Sequence, residues 1–479
     1  MLKEFKPHDY QKRGIEQIIN EKNVALWWEP GLGKTVTTLT AIKDLWLDYW
    51  AISRVLIIAP LKVAQSTWQN EIEEWEHFDC FRPQNPGVAA DRRGGLGGQI
   101  SVSVMIGNQS DRLRAFEKSK SSIISIINRD NVVWLAKTVQ ERNGGVWPYD
   151  MVVLDESTSF KNHSTKRFKA LKMFKGQIKR IVELTGTPAS NGLEDLWSQI
   201  YLLDSGKRLE RTITQYRTRY FNHNAYTHQW TVKDGAEKII MDKVQDCCHS
   251  LTAADYLNLP GFIEEDVLVR LTEQQFLRYK RFERDSVLKA LAESEDETII
   301  AGSAAVLTNK LLQYASGVVY DEEGLPHDFH DEKLQAFSEI IETATESILV
   351  FYKFRFDLDR IVAALTKQHK SFRVYKTAED LELWNSGKLD VLVASPESCG
   401  YGLNLQRGGR RILWYTTTWS HEVYTQANAR LYRQGQTKPV IVQRLITQGT
   451  VDERVASVLA GKATMHDFVM DYVKEHKGI

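Results

Sequence analysis

Five short apolar runs constrain what this chain can fold into. They are Val55-Leu56-Ile57-Ile58, Ile123-Ile124-Ser125-Ile126-Ile127, Met151-Val152-Val153-Leu154, Ser347-Ile348-Leu349-Val350-Phe351 and Val391-Leu392-Val393-Ala394. They lack the polar alternation of a half-solvated strand, so they suit strands buried on both faces. Helix-like stretches lie between them, as in Leu39, Ile42, Leu45 and Trp46. Strands alternating with helices predict an α/β fold built on parallel sheets covered on both sides. Two regions carry the pattern, 1–205 and 333–450. The stretch 206–332 differs. Residues 264–316 are charged and helix-forming, with Phe276, Tyr279, Phe282, Leu288 and Leu291 spaced for one face, and 321–332 reads as a linker. The expectation is two tandem lobes with a helical insertion between them and a helical tail over 451–479.

The 479 residues allow about two to four domains. Lys plus Arg equals Asp plus Glu, at 62 each, so a nucleic-acid surface would have to be a local patch. Cys80, Cys247, Cys248 and Cys399 form no C-x-x-C pair and read as reduced thiols, not as a zinc site or disulfide framework. Met1 to Lys6 has no apolar signal region, and no run approaches the ~18 apolar residues that span a membrane. A soluble, cytoplasmic protein is expected. The thirteen tryptophans read as packing residues, and the glycine-rich, basic segment 83–98 as a mobile surface loop.

The chemistry is concentrated in two segments. Glu29-Pro30-Gly31-Leu32-Gly33-Lys34-Thr35 follows the apolar Val24-Ala25-Leu26 and opens a helix. Gly31 and Gly33 let backbone N–H groups turn toward an anion at the helix N-terminus. Lys34 can then reach the outer phosphates of a nucleotide, and Thr35 can offer a hydroxyl to Mg²⁺. The strict pattern wants glycine six residues before Lys34; Trp28 stands there. In the second segment, strand 151–154 delivers Asp155 and Glu156. Asp155 would hold Mg²⁺, and Glu156 would orient and deprotonate the attacking water. A glycine turn alone is common, and a strand-end acid pair is often merely solvated. Together they point to an ATPase. Farther on, Gln426-Ala427-Asn428-Ala429-Arg430-Leu431-Tyr432-Arg433 sets two arginines at i and i+3. They read either as a surface salt-bridge pair or as arginine fingers for the developing γ-phosphate charge.

The order of these blocks resembles helicase superfamily two, most closely its Swi/Snf-type DNA-translocase branch. Phe5-Lys6-Pro7-His8-Asp9-Tyr10-Gln11 is similar to that family's adenine-reading segment, with Gln11 as reader. Glu29 to Thr35 is similar to its D-E-M-G-L-G-K-T, which also lacks the first glycine. Ile57-Ile58-Ala59-Pro60-Leu61 with Trp68 and Glu71 to Trp75 resembles the block whose loop contacts the nucleic-acid backbone. Asp155-Glu156-Ser157-Thr158 takes the D-E-A-H place, with Lys161-Asn162 after it. Leu184-Thr185-Gly186-Thr187-Pro188 resembles the block that relays nucleotide state. Ser395 to Leu405 keeps Gly400, Gly402, Asn404 and Leu405, and Gln426 to Gln436 resembles Q-A-x-x-R-x-x-R-x-G-Q. Three departures stand out: Thr158 for histidine, Pro396 for threonine and Cys399 for glycine.

The resemblance implies two RecA-like lobes that close over ATP and Mg²⁺. It places Gln11, Gly31, Gly33, Lys34, Thr35 and Gly402 at the nucleotide, Thr35 and Asp155 at the metal, and Glu156, Gln426, Arg430 and Arg433 in catalysis. It implies a monomeric motor on double-stranded DNA, with a targeting protein as partner and no membrane. Such compactness suits a bacterial or viral motor, working in the host cytoplasm if viral. A strand-separating helicase on DNA or RNA, and a nucleotide-gated clamp with little turnover, are the alternatives. Basic clusters that could hold phosphates are Lys166, Arg167, Lys169 and Lys172; Lys207, Arg208 and Arg211; Arg217 and Arg219; and, most favoured, Arg407, Arg410 and Arg411. Charge runs of this kind are often only solvated faces.

Overall fold

A computed structural model describes residues 2–82, 102–189, 192–223, 230–252, 256, 259–292, 297–321, 323–399 and 403–461, with backbone alone for 287–292 and 297–305. The segment 83–98 and the tail beyond 461 lie outside these residues. Two compact units divide the chain, Met1–Leu257 and Asn258–Ile479.

The first unit is built on a seven-stranded sheet in which every pairing is parallel. Its strands are β1 (Asn23–Trp28), β2 (Val55–Ala59), β3 (Val102–Met105), β4 (Ile124–Asn128), β5 (Met151–Asp155), β6 (Arg180–Thr185) and, after an antiparallel hairpin of β7 (Phe221–His223) and β8 (Trp230–Val232), β9 (Cys248–Leu251). The spatial order is β3-β4-β2-β5-β6-β1-β9. The predicted apolar runs form β2, β4 and β5, where almost every residue is buried, because helices cover both faces. The chain does not leave this unit at residue 205. It runs through helices Ile213–Tyr220 and Ala236–Val244 and returns as β9, aligned on β1 with Ala25 opposite Cys248.

In the second unit, β10 (Phe262–Val269), β13 (Ile348–Phe351), β14 (Phe372–Val374), β15 (Val391–Ala394), β16 (Arg411–Trp414) and β17 (Val440–Thr447) form a parallel sheet in the order β10-β17-β16-β13-β15-β14. A short hairpin of β11 (Val318–Tyr320) and β12 (Pro326–Asp328) lies outside it. The predicted amphipathic stretch is the helix pair Glu273–Ala292 and Glu297–Ala315. It docks on this unit: Tyr279 is fully buried, its ring meets Tyr314 edge-on at 5.5 Å, and its hydroxyl accepts from the Val451 N–H at 2.9 Å.

Packing accounts for most of the tryptophans whose side chains are placed. Trp27, Trp28, Trp68, Trp147, Trp197, Trp384 and Trp414 are buried, whereas Trp50 is 86% exposed. All four cysteines are free thiols. No described helix is long and apolar enough to cross a membrane.

One ion pair in the second unit is completely buried. The Lys333 ammonium donates to Asp452 Oδ2 at 2.6 Å, and the same oxygen accepts the Thr447 N–H at 3.0 Å. This ties helix Glu332–Thr343 to helix Val451–Leu459. Removing one partner leaves the other charge buried and alone, at a cost of about 3–5 kcal/mol. Lys333→Met should therefore lower the stability of this unit by about that amount in urea unfolding; a loss below about 1 kcal/mol would show that the pair is not the tie.

Candidate functional site

The first unit gathers its polar chemistry where β1 and β5 end. β1 delivers Trp28 and then turns through Gly31 and Gly33, at φ +93° and +76°, into helix Lys34–Leu47. The left-handed conformation at Gly33 excludes most side chains. A Cβ there would also lie 2.5 Å from Gln11 Nε2. Gln11 is buried against the loop: its amide oxygen accepts from the His8 N–H at 2.9 Å and its nitrogen donates to the Leu32 carbonyl at 3.3 Å. Nucleotide loop and N-terminal segment are therefore mechanically joined.

The structure explains Trp28. Its indole packs on helix Asp9–Asn20 so closely that a Cβ on Gly14 would stand 2.4 Å from the ring. What Trp28 offers the loop is its backbone: its carbonyl accepts from the Lys34 ammonium at 2.6 Å, and the Glu29 carbonyl does so at 3.4 Å. A large side chain can stand at this position because it points away from the loop and into the helix.

β5 ends on Asp155. Trp68, fully buried, donates its indole N–H to Asp155 Oδ2 at 2.9 Å. Burial pushes the Asp155 carboxyl above the ordinary range, while the Trp68 N–H, the Lys34 ammonium and the Glu156 backbone N–H act in the opposite direction. Lys34 and Asp155 thus share one electrostatic neighbourhood. The half-buried carboxylate offers oxygen to a hard cation, while the ammonium and the helix N-terminus favour an anion, so the set fits a cation taken together with a phosphate. Thr35 follows in the first turn of the helix.

Glu156 leaves the strand at φ +54°, ψ +63°, a left-handed backbone that costs a non-glycine residue about 1–3 kcal/mol. The kink turns the chain into the short turn Ser157–Phe160. Ser157 donates to Gln199 Oε1 at 2.8 Å, and Gln199 Nε2 donates to the carbonyls of Pro188 at 2.7 Å and Asp195 at 3.1 Å. Thr158 is buried beside this chain of contacts. The sequence reading missed Gln199, and it gave Trp68 no role.

Glu183 was missed too. It sits in the middle of β6, opposite Leu154 on one side and Ala25 on the other, and is fully buried. Burial raises its carboxyl well above the usual range, and the neighbouring Cys247 thiol adds to this; Lys175 and Ser157 oppose it.

In the second unit, helix His421–Asn428 carries Gln426 and ends just before the two arginines. Arg430 is buried, with Nε donating to the Gln426 carbonyl at 3.1 Å. Arg433 donates to the Leu403 carbonyl at 3.1 Å. Gln436 reaches the carbonyls of Gln406 at 3.3 Å and Gly409 at 3.1 Å. The Leu405 N–H donates to the Arg430 carbonyl at 3.3 Å. The arginine segment is thereby clamped to the segment 403–409. Gly400 and Gly402 lie outside the described residues.

The basic clusters are partly neutralised. Arg208 pairs with Asp204 and Asp246, Arg217 with Glu194, Arg219 with Glu210 and Arg167 with Asp130. The favoured last cluster is weakened most plainly: Arg410 grips Glu346 through Nε and Nη2, and Arg411 donates to Gln443 at 2.7 Å. Lys166, Lys169, Lys207, Arg211 and Arg407 have no such side-chain partner among the described residues.

A parallel sheet that carries a phosphate-type loop and a strand-end acid pair on the same side, with one strand between them, defines the class of RecA-like nucleotide hydrolases. Comparison with known proteins narrows this. The SNF2-related domain model matches residues 10–315. A protein of Acyrthosiphon pisum secondary endosymbiont phage 1, p41, is 32% identical over 99% of this chain and 100% of its own length. An uncharacterized ATP-dependent helicase of Mycoplasma genitalium is 26% identical over 94% of this chain and 41% of its own length, so this chain spans about two fifths of that relative. The Hef helicase domain of Pyrococcus furiosus shares the fold, with a TM-score of 0.51, 16% identity, and coverage of 94% of this chain and 97% of that one. The chain belongs to the SNF2-related family, the Swi/Snf type of helicase superfamily two. It has that superfamily's two RecA-like lobes and is an ATP-hydrolysing enzyme.

Glu183 gives a pH test of the first unit. Its acid form is favoured in the folded state, so folding takes up a proton above the unfolded pKa of about 4.3. Its contribution to stability is whole below that pH and falls by about 1.4 kcal/mol per pH unit above it. Glu183→Gln, which mimics the protonated acid, should flatten the decline of unfolding free energy between pH 5 and 7; an unchanged slope would mean the carboxyl is ionised when folded.

Proposed function

We propose that this chain is an ATP-dependent translocase on double-stranded DNA, acting as a cytoplasmic monomer that a protein partner brings to its site. The observation that carries the reading is the meeting of Lys34 and Asp155 at the ends of β1 and β5, on a loop locked to Gln11. Membership of the Swi/Snf type supports movement on duplex DNA over strand separation. We read the chain in four parts, an ATP-binding lobe, an insertion and linker, a second lobe and a tail over 451–479, with the stretch 206–332 lending β9 to the first sheet and β10 to the second.

In this reading phosphate oxygens replace the carbonyls of Trp28 and Glu29 as acceptors for Lys34. Gly31 and Gly33 turn their N–H groups toward the phosphates, Gln11 reads the base, and Gly402 is assigned to nucleotide binding by the family pattern. Thr35 and Asp155 would hold Mg²⁺, whose charge would offset that of the phosphates. Glu156, aimed by its left-handed backbone, orients the water and accepts its proton. Arg430, Arg433 and Gln426 supply and steady positive charge for the transition state. Five cationic side chains remain for the DNA backbone: Lys166, Lys169, Lys207, Arg211 and Arg407.

ATPase rate measured on duplex, forked and single-stranded DNA and on RNA tests the reading. Duplex should stimulate most; stimulation by single strands alone would overturn translocation on duplex. Glu156→Gln should cut turnover by roughly 10²–10⁴-fold while ATP still binds. If wild type and variant are equally inactive on every nucleic acid, the protein is no motor.

A further inference from the structure

We infer that Trp68 is the positioning residue for the Asp155 carboxylate, its indole N–H holding Oδ2 and so fixing the orientation in which the carboxylate would meet a cation. The inference rests on the proposed reading of Asp155 as a Mg²⁺ ligand.

The geometry carries it. A carboxylate rotates easily about its last bond, because that torsion is broad. A charge-assisted hydrogen bond from a fixed, buried donor restrains the rotation. Here the bond is 2.9 Å long and its donor is fully buried. It engages Oδ2 only. Burial alone does not oblige an indole in this unit to find a partner. The Nε1 atoms of Trp27, Trp28 and Trp147 are buried without one among the described residues. Trp68 differs because the backbone before it is specially wound. After β2 and Pro60 the chain makes a π-helical turn, Val63–Thr67, before the α-helix Trp68–Glu74 begins. A π turn adds a residue to the helical count, and such turns cluster at functional sites. One residue fewer would swing Trp68 by about 100° around the helix, away from Asp155. The unusual winding and the aimed N–H are thus one device. It works as an outer partner of a metal ligand does, by orienting the ligand without touching the metal.

The test measures binding of a non-hydrolysable ATP analogue against Mg²⁺ concentration, with metal-free analogue binding as reference. Four proteins are compared: wild type, Trp68→Phe, a form with benzothienylalanine at position 68, and Asp155→Asn. Benzothienylalanine keeps the bicyclic shape and lacks the N–H, so it guards against a Phe variant that fails to fold. Both Trp68 variants should need roughly 10–100 times more Mg²⁺ for half-saturation, with metal-free binding unchanged. An unchanged Mg²⁺ requirement, with Asp155→Asn impaired, overturns the role of Trp68 and leaves the metal site standing. Loss of metal-free binding in both Trp68 variants assigns the indole to packing and also overturns it. No effect of Asp155→Asn on the Mg²⁺ requirement overturns the metal-site reading itself.

Discussion

The central strands of the first sheet are covered on both faces, and that cover decides where chemistry can occur. β2 and β4 are buried throughout, and β5 is buried up to its last residue. A polar side chain within such a strand must be paired or neutral. Ions can be held only where the strands stop. With all strands parallel, the ends that carry β1 into its glycine loop and β5 into Asp155 lie on the same side. β6 separates the two, so they stand two strand spacings, about 10 Å, apart. That is within reach of a lysine side chain on one and a carboxylate on the other. Glu183 shows the rule from the opposite side: within the sheet, burial shifts a carboxyl toward its neutral form.

The parts of this arrangement that depend on chain-local patterns were legible in the sequence. Apolar runs marked β2, β4, β5, β13 and β15, and the glycine loop and acid pair were placed on the correct strand ends. Tyr279 and Phe282 were rightly put on an apolar helix face. What escaped was set by contacts distant in sequence. β9 is four residues long, contains a cysteine and a histidine, and is a strand only because β1 offers it an edge. Trp68 lies 87 residues from Asp155, and Gln199 lies 42 from Ser157. No local pattern reports such pairings. The pairing within the favoured basic cluster escaped for the same reason: Glu346, which engages Arg410, is 64 residues away.

Trp28 is a case in which the sequence posed the right question and only packing answered it. Glycine at this position is expected where the backbone must come close to phosphate. Here the demand for space falls on the other partner, Gly14, whose missing Cβ admits the indole. The carbonyl still faces Lys34. The substitution therefore moves the requirement for a glycine from the loop to the neighbouring helix, and preserves the loop's function as an acceptor for the ammonium.

Thr158 stands where the family has histidine, and the surrounding contacts limit what that change can do. The turn after β5 and the loop after β6 are joined through Gln199, whose amide spends its oxygen on Ser157 and its nitrogen on Pro188 and Asp195. A buried amide that loses such a partner costs about 1–3 kcal/mol, so shifting one segment alone is unfavourable. The two segments are therefore tied into one body by the Gln199 amide, which meets the first of them at Ser157, one residue before Thr158. Glu156 is the residue just ahead of that body, already held in a left-handed conformation. The contacts that tie the turn after Glu156 to the Pro188 loop are neutral hydrogen bonds, which do not titrate near neutral pH as an imidazole would.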